Sequence, residues 1–258
     1  MARVFITGSS DGLGLAAARL LASEDHEVVG HARNEQRASD LRRAAPEVAR
    51  VIVGDFGSVA GARSVAEQAN ALGRFDAVIH NAGVGYRESR KITTVDGHAH
   101  VLAINVLAPY LLTALMAPPA RLVYLSSGMH RGGTPSVQDL DWERRPWNGA
   151  QAYSDSKLFD ATLAAAVARR WPGVLSNAVE PGWVPTKMGG PGAPDDLAQA
   201  HLTQAWLAVS DDPGALVSGE YFYHRAPRDV LPAVRSPSFQ DQLLDALARL
   251  TGEKLPAA

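Results

Sequence analysis

The stretch AYSDSKLFDATLAAAVARRW, residues 152–171, sets Tyr153 and Lys157 four positions apart at the head of a long alanine-rich segment that reads as an amphipathic helix. On a helix that spacing puts both side chains on one face, one turn apart. A phenol beside an ammonium can exchange a proton. A cation about 4 Å away at an effective dielectric near 20 contributes roughly 4 kcal/mol, or about three pKa units as an upper bound, enough to bring a tyrosine from about 10 toward neutrality. Ser127 ends the run RLVYLSS (121–127), where its hydroxyl can donate to a carbonyl oxygen and help cradle developing charge. In an arbitrary protein a Tyr and a Lys at this spacing are a surface hydrogen bond. A strand-end serine is more often a turn or cap residue, and a buried asparagine such as Asn105 more often satisfies backbone. The chemical reading therefore depends on the elements that place these residues.

The first such element is a glycine turn. TGSSDGLG puts Gly8, Gly12 and Gly14 between an apolar strand, RVFIT, and a helical pattern. Gly8 suits a tight turn, Gly12 lets a pyrophosphate approach, and Gly14 lets the helix pack on the sheet, while the helix N-terminus offers free amides and partial positive charge. Ser10 and Leu13, within the turn, join the expected dinucleotide contacts. The second strand ends GHARN, where Arg33 offers a planar cation to a ribose 2′-phosphate and Asn34 follows it. No carboxylate stands there for a free 2′-hydroxyl, so NADP is expected over NAD. Asp11 argues the other way. Asp55 and Phe56 after the third strand, and Asn81, Ala82 and Gly83 after the fourth, fall at successive strand ends on one edge, at adenine and ribose distance. Beyond the sixth strand, Pro181 and Gly182 turn the chain back, placing the Val184 backbone and the Thr186 hydroxyl toward the carboxamide and pyrophosphate. Met129, His130, Gln151, Trp183 and Met188 are candidates for a substrate wall, with Trp142 and Trp147 beside them. Such a wall favours an apolar or cyclic carbonyl.

Short β-branched runs at 3–7, 27–32, 48–55, 75–80, 121–127 and 174–181 alternate with helical patterns. That order predicts one α/β domain over 1–258, a doubly wound parallel sheet flanked by helices on both faces. Two stretches, 128–149 and 182–196, read as loops over the carboxyl ends of the strands, where such folds hold ligands. The Tyr-Phe-Tyr run at 221–223 is expected as a seventh strand. A net charge of −2 argues against a nucleic-acid surface, and the absence of cysteine removes thiolate metal sites and nucleophiles. The eight histidines form no compact metal motif, so no metal is expected. The start MARVFITG leaves no room for a signal peptide, and the longest apolar run, interrupted by Asn105 and Pro109, reads as a buried helix rather than a membrane span. A cytoplasmic location is expected.

With TGSSDGLG, NAG at 81–83, Asn105 within AINVLAPYLLT, YLSSG at 124–128, YSDSK at 153–157 and PGWVPTKM at 181–188, the sequence resembles the short-chain dehydrogenase/reductase family along nearly its whole length. Within it, the chain looks most like the branch of retinol dehydrogenases and bacterial ketoreductases. The resemblance implies a seven-stranded Rossmann-type sheet and NAD(P)-dependent interconversion of a carbonyl and an alcohol. By the same resemblance Ser127 orients the substrate oxygen, Tyr153 exchanges the proton, Lys157 assists it and reaches the nicotinamide ribose, and Asn105 holds a proton-relay water. It also implies a homodimer or homotetramer associating through helices around 98–117 and 151–170. An NAD-dependent alcohol dehydrogenase of the same family, or a non-catalytic dinucleotide-sensing regulatory protein, is the alternative.

Overall fold

The expected runs supply strands because they are mostly apolar, as burial on both faces of a parallel sheet requires, and polar exceptions such as His31, Ser176 and Asn177 are hydrogen-bonded. The computed structural model, which describes residues 1–257, places β1 at Arg3–Ile6, β2 at Glu27–Ala32, β3 at Arg50–Val53, β4 at Ala77–His80, β5 at Arg121–Leu125 and β6 at Leu175–Val179. They pair in parallel in the order β3-β2-β1-β4-β5-β6, continued by β7 (Tyr221–Tyr223). The chain reverses direction across the sheet between β1 and β4, and a ligand crevice opens at such a switch point. An eighth strand, Ala226–Pro227, was not expected; it folds back antiparallel on β7. Its two-residue turn, His224 and Arg225, has both φ values positive at 49° and 63°, the backbone that suits a tight hairpin.

The pleat sorts the core into two layers. Val4 and Ile6 of β1 pack toward helices α1 (Gly12–Ser23), α2 (Glu35–Ala44) and α7 (Leu202–Val209). Phe5 points the other way, toward α3 (Val59–Ala71), α5 (Ala108–Leu115), α6 (Gly149–Arg170) and α8 (Pro237–Thr251). Between β4 and α5 a short helix α4 (His100–Leu102) widens into a π-turn, Ala103–Leu107, that contains Asn105. Pro109 lies just beyond and has no N–H to return to the carbonyl of Asn105.

Helix α6 departs from the amphipathic reading. Every residue from Ala152 to Ala164 is buried, because the sheet lies on one side and α8 on the other. Phe159 meets Phe239 of α8 at 6.4 Å between ring centroids, Arg169 reaches Gln240 (2.8 Å), and the Trp171 indole donates to the Pro256 carbonyl (2.9 Å). The Tyr110 hydroxyl of α5 donates to the Glu253 carbonyl (2.8 Å). The apolar faces expected to meet a second copy are thus covered in part by the chain's own C-terminal helix and the residues after it. No helix among the described residues is long and apolar enough to cross a membrane.

Candidate active site

The glycine turn is built as its spacing predicts. Gly8 has φ +62°, and a β-carbon there would stand 2.8 Å from the Cα of Ala82. At Gly14 it would stand 2.4 Å from the Asn81 amide nitrogen and 2.5 Å from the Gly8 carbonyl. Gly12 (φ +55°) instead faces open space. Asp11, the residue before α1, makes no side-chain cap, which leaves the helix's first amides for another anion. A bare helix N-terminus beside a side-chain-free position fits a dinucleotide pyrophosphate.

Two residues not singled out in the sequence hold this turn. The Thr7 hydroxyl accepts from the amides of Asn81 and Ala82, both at 3.0 Å. His31 Nδ1 accepts from the Gly8 amide (3.0 Å), so its Nε2 carries the proton and donates to the Gly54 carbonyl (2.9 Å). One neutral imidazole therefore ties β2 to the turns after β1 and β3. Burial lowers its pKa to about 4. The Phe56 ring stacks on the same imidazole at 4.2 Å, which fixes the backbone expected to serve the adenine, while its neighbour Asp55 is exposed and accepts from the Gly57 amide (2.8 Å). The Asn81 amide donates to the carbonyls of Thr7 (2.9 Å) and Gly8 (3.1 Å), joining the fourth strand end to the glycine turn.

At the far end of the crevice Arg33 is exposed, whereas Asn34 caps α2 by accepting from the Arg37 amide (2.9 Å). Asp11, which argued against a phosphate, is neutralised by Arg37 (2.6 Å) and Lys187 (3.1 Å). Arg37 is the cation the sequence reading missed. Its place in the first turn of α2, three residues beyond the capping asparagine, was the available signal. Lys187 belongs to 182–196, so this pair also ties that loop across the glycine turn. Within the loop, Val184 is buried, the Thr186 hydroxyl accepts from the Gly189 amide (3.1 Å), and the Trp183 amide donates to Asp195 (2.6 Å).

Tyr153 and Lys157 share one face of α6, and both are buried. The Lys157 ammonium donates to the Leu125 carbonyl (2.7 Å) and to Asp160 (2.8 Å), and lies 5.8 Å from the Tyr153 ring centroid. The phenol does not move toward neutrality. Burial raises its pKa, and the opposing influence of Lys157 and then Ser127 does not overcome it. The expected lowering took the whole cation for Tyr153, whereas Lys157 is shared with a carboxylate. Asn105 is also occupied: its Oδ1 accepts from the Val84 amide (2.8 Å), and its Nδ2 donates to Ser156 (2.9 Å) and the Val84 carbonyl (3.1 Å).

Around the phenol stand Met188, whose sulfur is 3.9 Å from the hydroxyl, and Tyr86, edge-on at 5.7 Å. Trp142 and Trp147 pack in the same cluster. Met129 and Trp183 are exposed. Two expected wall residues do not face this space. His130 is fully buried: its Nδ1 donates to the Ser127 carbonyl (2.8 Å) and its Nε2 accepts from the Leu231 amide (3.4 Å). Gln151 uses its amide on the Gly132 carbonyl and Asp155, both 2.8 Å, pinning 128–149 to α6. Both were assigned by their position beside Ser127 and Tyr153; His130 turns into the protein to hold loop backbone, while Gln151, only partly buried, spends its amide on the loop and on its own helix. Tyr86 was missed; it follows NAG within three residues.

A sequence model described as short chain dehydrogenase matches residues 2–196. The chain belongs to that family. Among relatives of this short-chain dehydrogenase, an uncharacterized oxidoreductase of Emericella nidulans is 42% identical, covering 99% of both chains. The short-chain dehydrogenase chyC of Penicillium rubens is 41% identical over the full length of both. A Streptomyces protein named for daunorubicin C-13 ketoreduction, DnrU, is 31% identical over 97% of this chain and 92% of its own. The crystal structure of an uncharacterized protein from Mycobacterium paratuberculosis superposes with TM-score 0.85 at 23% identity, covering 99% of this chain and 95% of that one. A blue fluorescent protein from a metagenomic library, in complex with NADPH, gives TM-score 0.69 at 22% identity, covering 86% and 95%. These likenesses place the fold, and the family makes the chain an oxidoreductase.

Proposed function

We propose that this enzyme is an NADP(H)-dependent reductase that interconverts a carbonyl and an alcohol, with Tyr153 as the acid. The observation that carries the reading is a buried phenol, held protonated, that packs in an apolar aromatic cluster with Met188 and Tyr86 while Lys157 and Ser127 stand beside it. The nicotinamide supplies the hydride when bound. The glycine turn and the open end of α1 would hold its pyrophosphate, and Arg33, with Arg37 behind it, would receive the 2′-phosphate. Ser127 donates to the substrate oxygen and fixes it within reach of Tyr153. Tyr153 then gives its proton to the alkoxide as it forms, a transfer that runs downhill because an alkoxide is a far stronger base than a phenolate. Lys157 steadies the phenolate that results. For Asn105, the backbone carbonyl left without an α-helical donor by Pro109 is the place to hold a relay water, since its side-chain amide is engaged elsewhere. The aromatic wall selects an apolar or cyclic ketone, in line with the name carried by DnrU.

The test is NADPH oxidation over a panel of lipophilic and cyclic ketones. We expect Tyr153→Phe to lower kcat by about a thousandfold, the range of a lost general acid, with NADPH binding unchanged. Equal turnover by wild type and variant would sink the reading. If NADH serves better than NADPH, the assignment of Arg33 fails.

A further inference from the structure

Lys157 stands between two side chains on α6: Tyr153 one turn before it and Asp160 one turn after. The roles assigned above leave Asp160 without one. It is almost wholly buried, its Oδ2 accepts from the Lys157 ammonium at 2.8 Å, and its Oδ1 is buried with no hydrogen-bond partner among the described residues. A buried carboxylate with half its oxygens unsatisfied is costly and does nothing for packing that an apolar side chain would not do better. Neighbouring elements add no second charge. Tyr124 of β5 presents a hydroxyl that is 2.7 Å from Thr113 of α5, and Thr113 in turn reaches His80 of β4 at 3.3 Å. Burial keeps that histidine neutral and the tyrosine protonated. The Lys157 ammonium is therefore the one cation acting on Asp160, and Asp160 in turn acts on Tyr153 through space.

We propose that Asp160 is a positioning residue for proton transfer at Tyr153: it anchors the Lys157 ammonium against the Leu125 carbonyl and takes up part of its charge, so that the tyrosine is kept as a protonated acid. The inference rests on the reading of Tyr153 as the acid, but the placement of charge it describes exists with or without a substrate. Without the carboxylate, the field of Lys157 falls on Tyr153 alone and the phenol becomes more acidic. Burial pushes the Asp160 carboxyl up to about 6 against the pull of Lys157, so the effect is confined to pH above that value.

The experiment is a pH titration of ring-labelled tyrosine by NMR, with the Tyr153 signal assigned by its loss in Tyr153→Phe. In Asp160→Asn the Tyr153 pKa should fall by about one unit, the lower end of what a nearby charge does. Below pH ~6 the Tyr153 environments of the two proteins should converge. In ketone reduction, where the tyrosine must be protonated, the alkaline limb of kcat should move down by the same amount while KM changes less than about twofold. A Tyr153 titration identical in wild type and in a folded Asp160→Asn, judged by thermal midpoint and NADPH affinity, would overturn the proposal. If the asparagine variant does not fold, Asp160→Glu decides: it keeps the charge, so Tyr153 must titrate close to wild type, and a fall of one unit there would overturn the proposal equally. Because the NMR readout needs no turnover, a failure of the carbonyl reading leaves this result intact and distinguishable.

Discussion

The edge that carries the glycine turn and the loops around Tyr153 are held by different means. Around the glycine turn main chain is packed against main chain or held by uncharged side chains: Gly14 against the Gly8 carbonyl and the Asn81 amide, Gly8 against Ala82, and a neutral histidine and a threonine serving main-chain amides. Around Tyr153 the loops are held by charged side chains, among them Arg145 to Asp155 (2.7 Å), Arg131 to Glu180 (3.4 Å) and Lys187 to Asp11 (3.1 Å). The first arrangement tolerates almost no change of shape. The second sets loop position by pairs that salt and single substitutions can loosen.

The sharpest test of this contrast is Gly14→Ala. Its methyl would have to displace the Gly8 carbonyl as well as a side chain, so we expect a loss of about 3 kcal/mol in urea unfolding, at the upper end for overpacking, together with loss of NADPH binding. A stable variant that binds cofactor normally would break the comparison. Acid should act on the same edge. The pKa of His31 is lowered from 6.5 to about 4 by burial, so its contribution to stability is complete above pH 6.5 and lost as pH falls toward 4. That loss is worth roughly 3 kcal/mol for this residue. His80, lowered to about 3, adds a loss of the same sign that continues further into acid. Urea midpoints measured across this range should fall in the wild type and fall less in His31→Gln.

Arg33→Ala should weaken NADPH about tenfold and leave NADH within about twofold, as measured by fluorescence titration. The smallest effect is expected of salt. The Lys187–Asp11 pair is exposed, so ~1 M salt should speed hydrogen exchange in 182–196 by about twofold and leave residues 4–14 unchanged.

The same contrast decides what was legible in the sequence. Strands buried on both faces must be continuously apolar, and a glycine turn must have its glycines, so six strands, the turn and the Tyr153–Lys157 face all follow from short runs of residues. Side-chain pairings across the fold do not. Nothing local to Asp11 signals that Arg37 and Lys187 neutralise it, and nothing near His130 signals that its ring turns to Leu231. Asp160 was in plain sight three residues past Lys157, yet its effect on the tyrosine depended on burial, which the alanine-rich pattern concealed. Burial also reversed the expected direction of the Tyr153 shift. The eighth strand escaped notice because two residues carry no periodicity, and its turn uses His224 and Arg225 where glycine or asparagine would have announced it.

Helix α6 is buried from Ala152 to Ala164, with Tyr153 and Lys157 at one end of that buried stretch. A mutation that enlarges or recharges it disturbs the core and the chemistry together, so new substrates are unattainable by that route without a folding defect. The segment that carries Trp183 and Met188 is under no such restraint. Selection for a different carbonyl would therefore accumulate its changes there, while Tyr153, the proposed acid, is inherited unaltered.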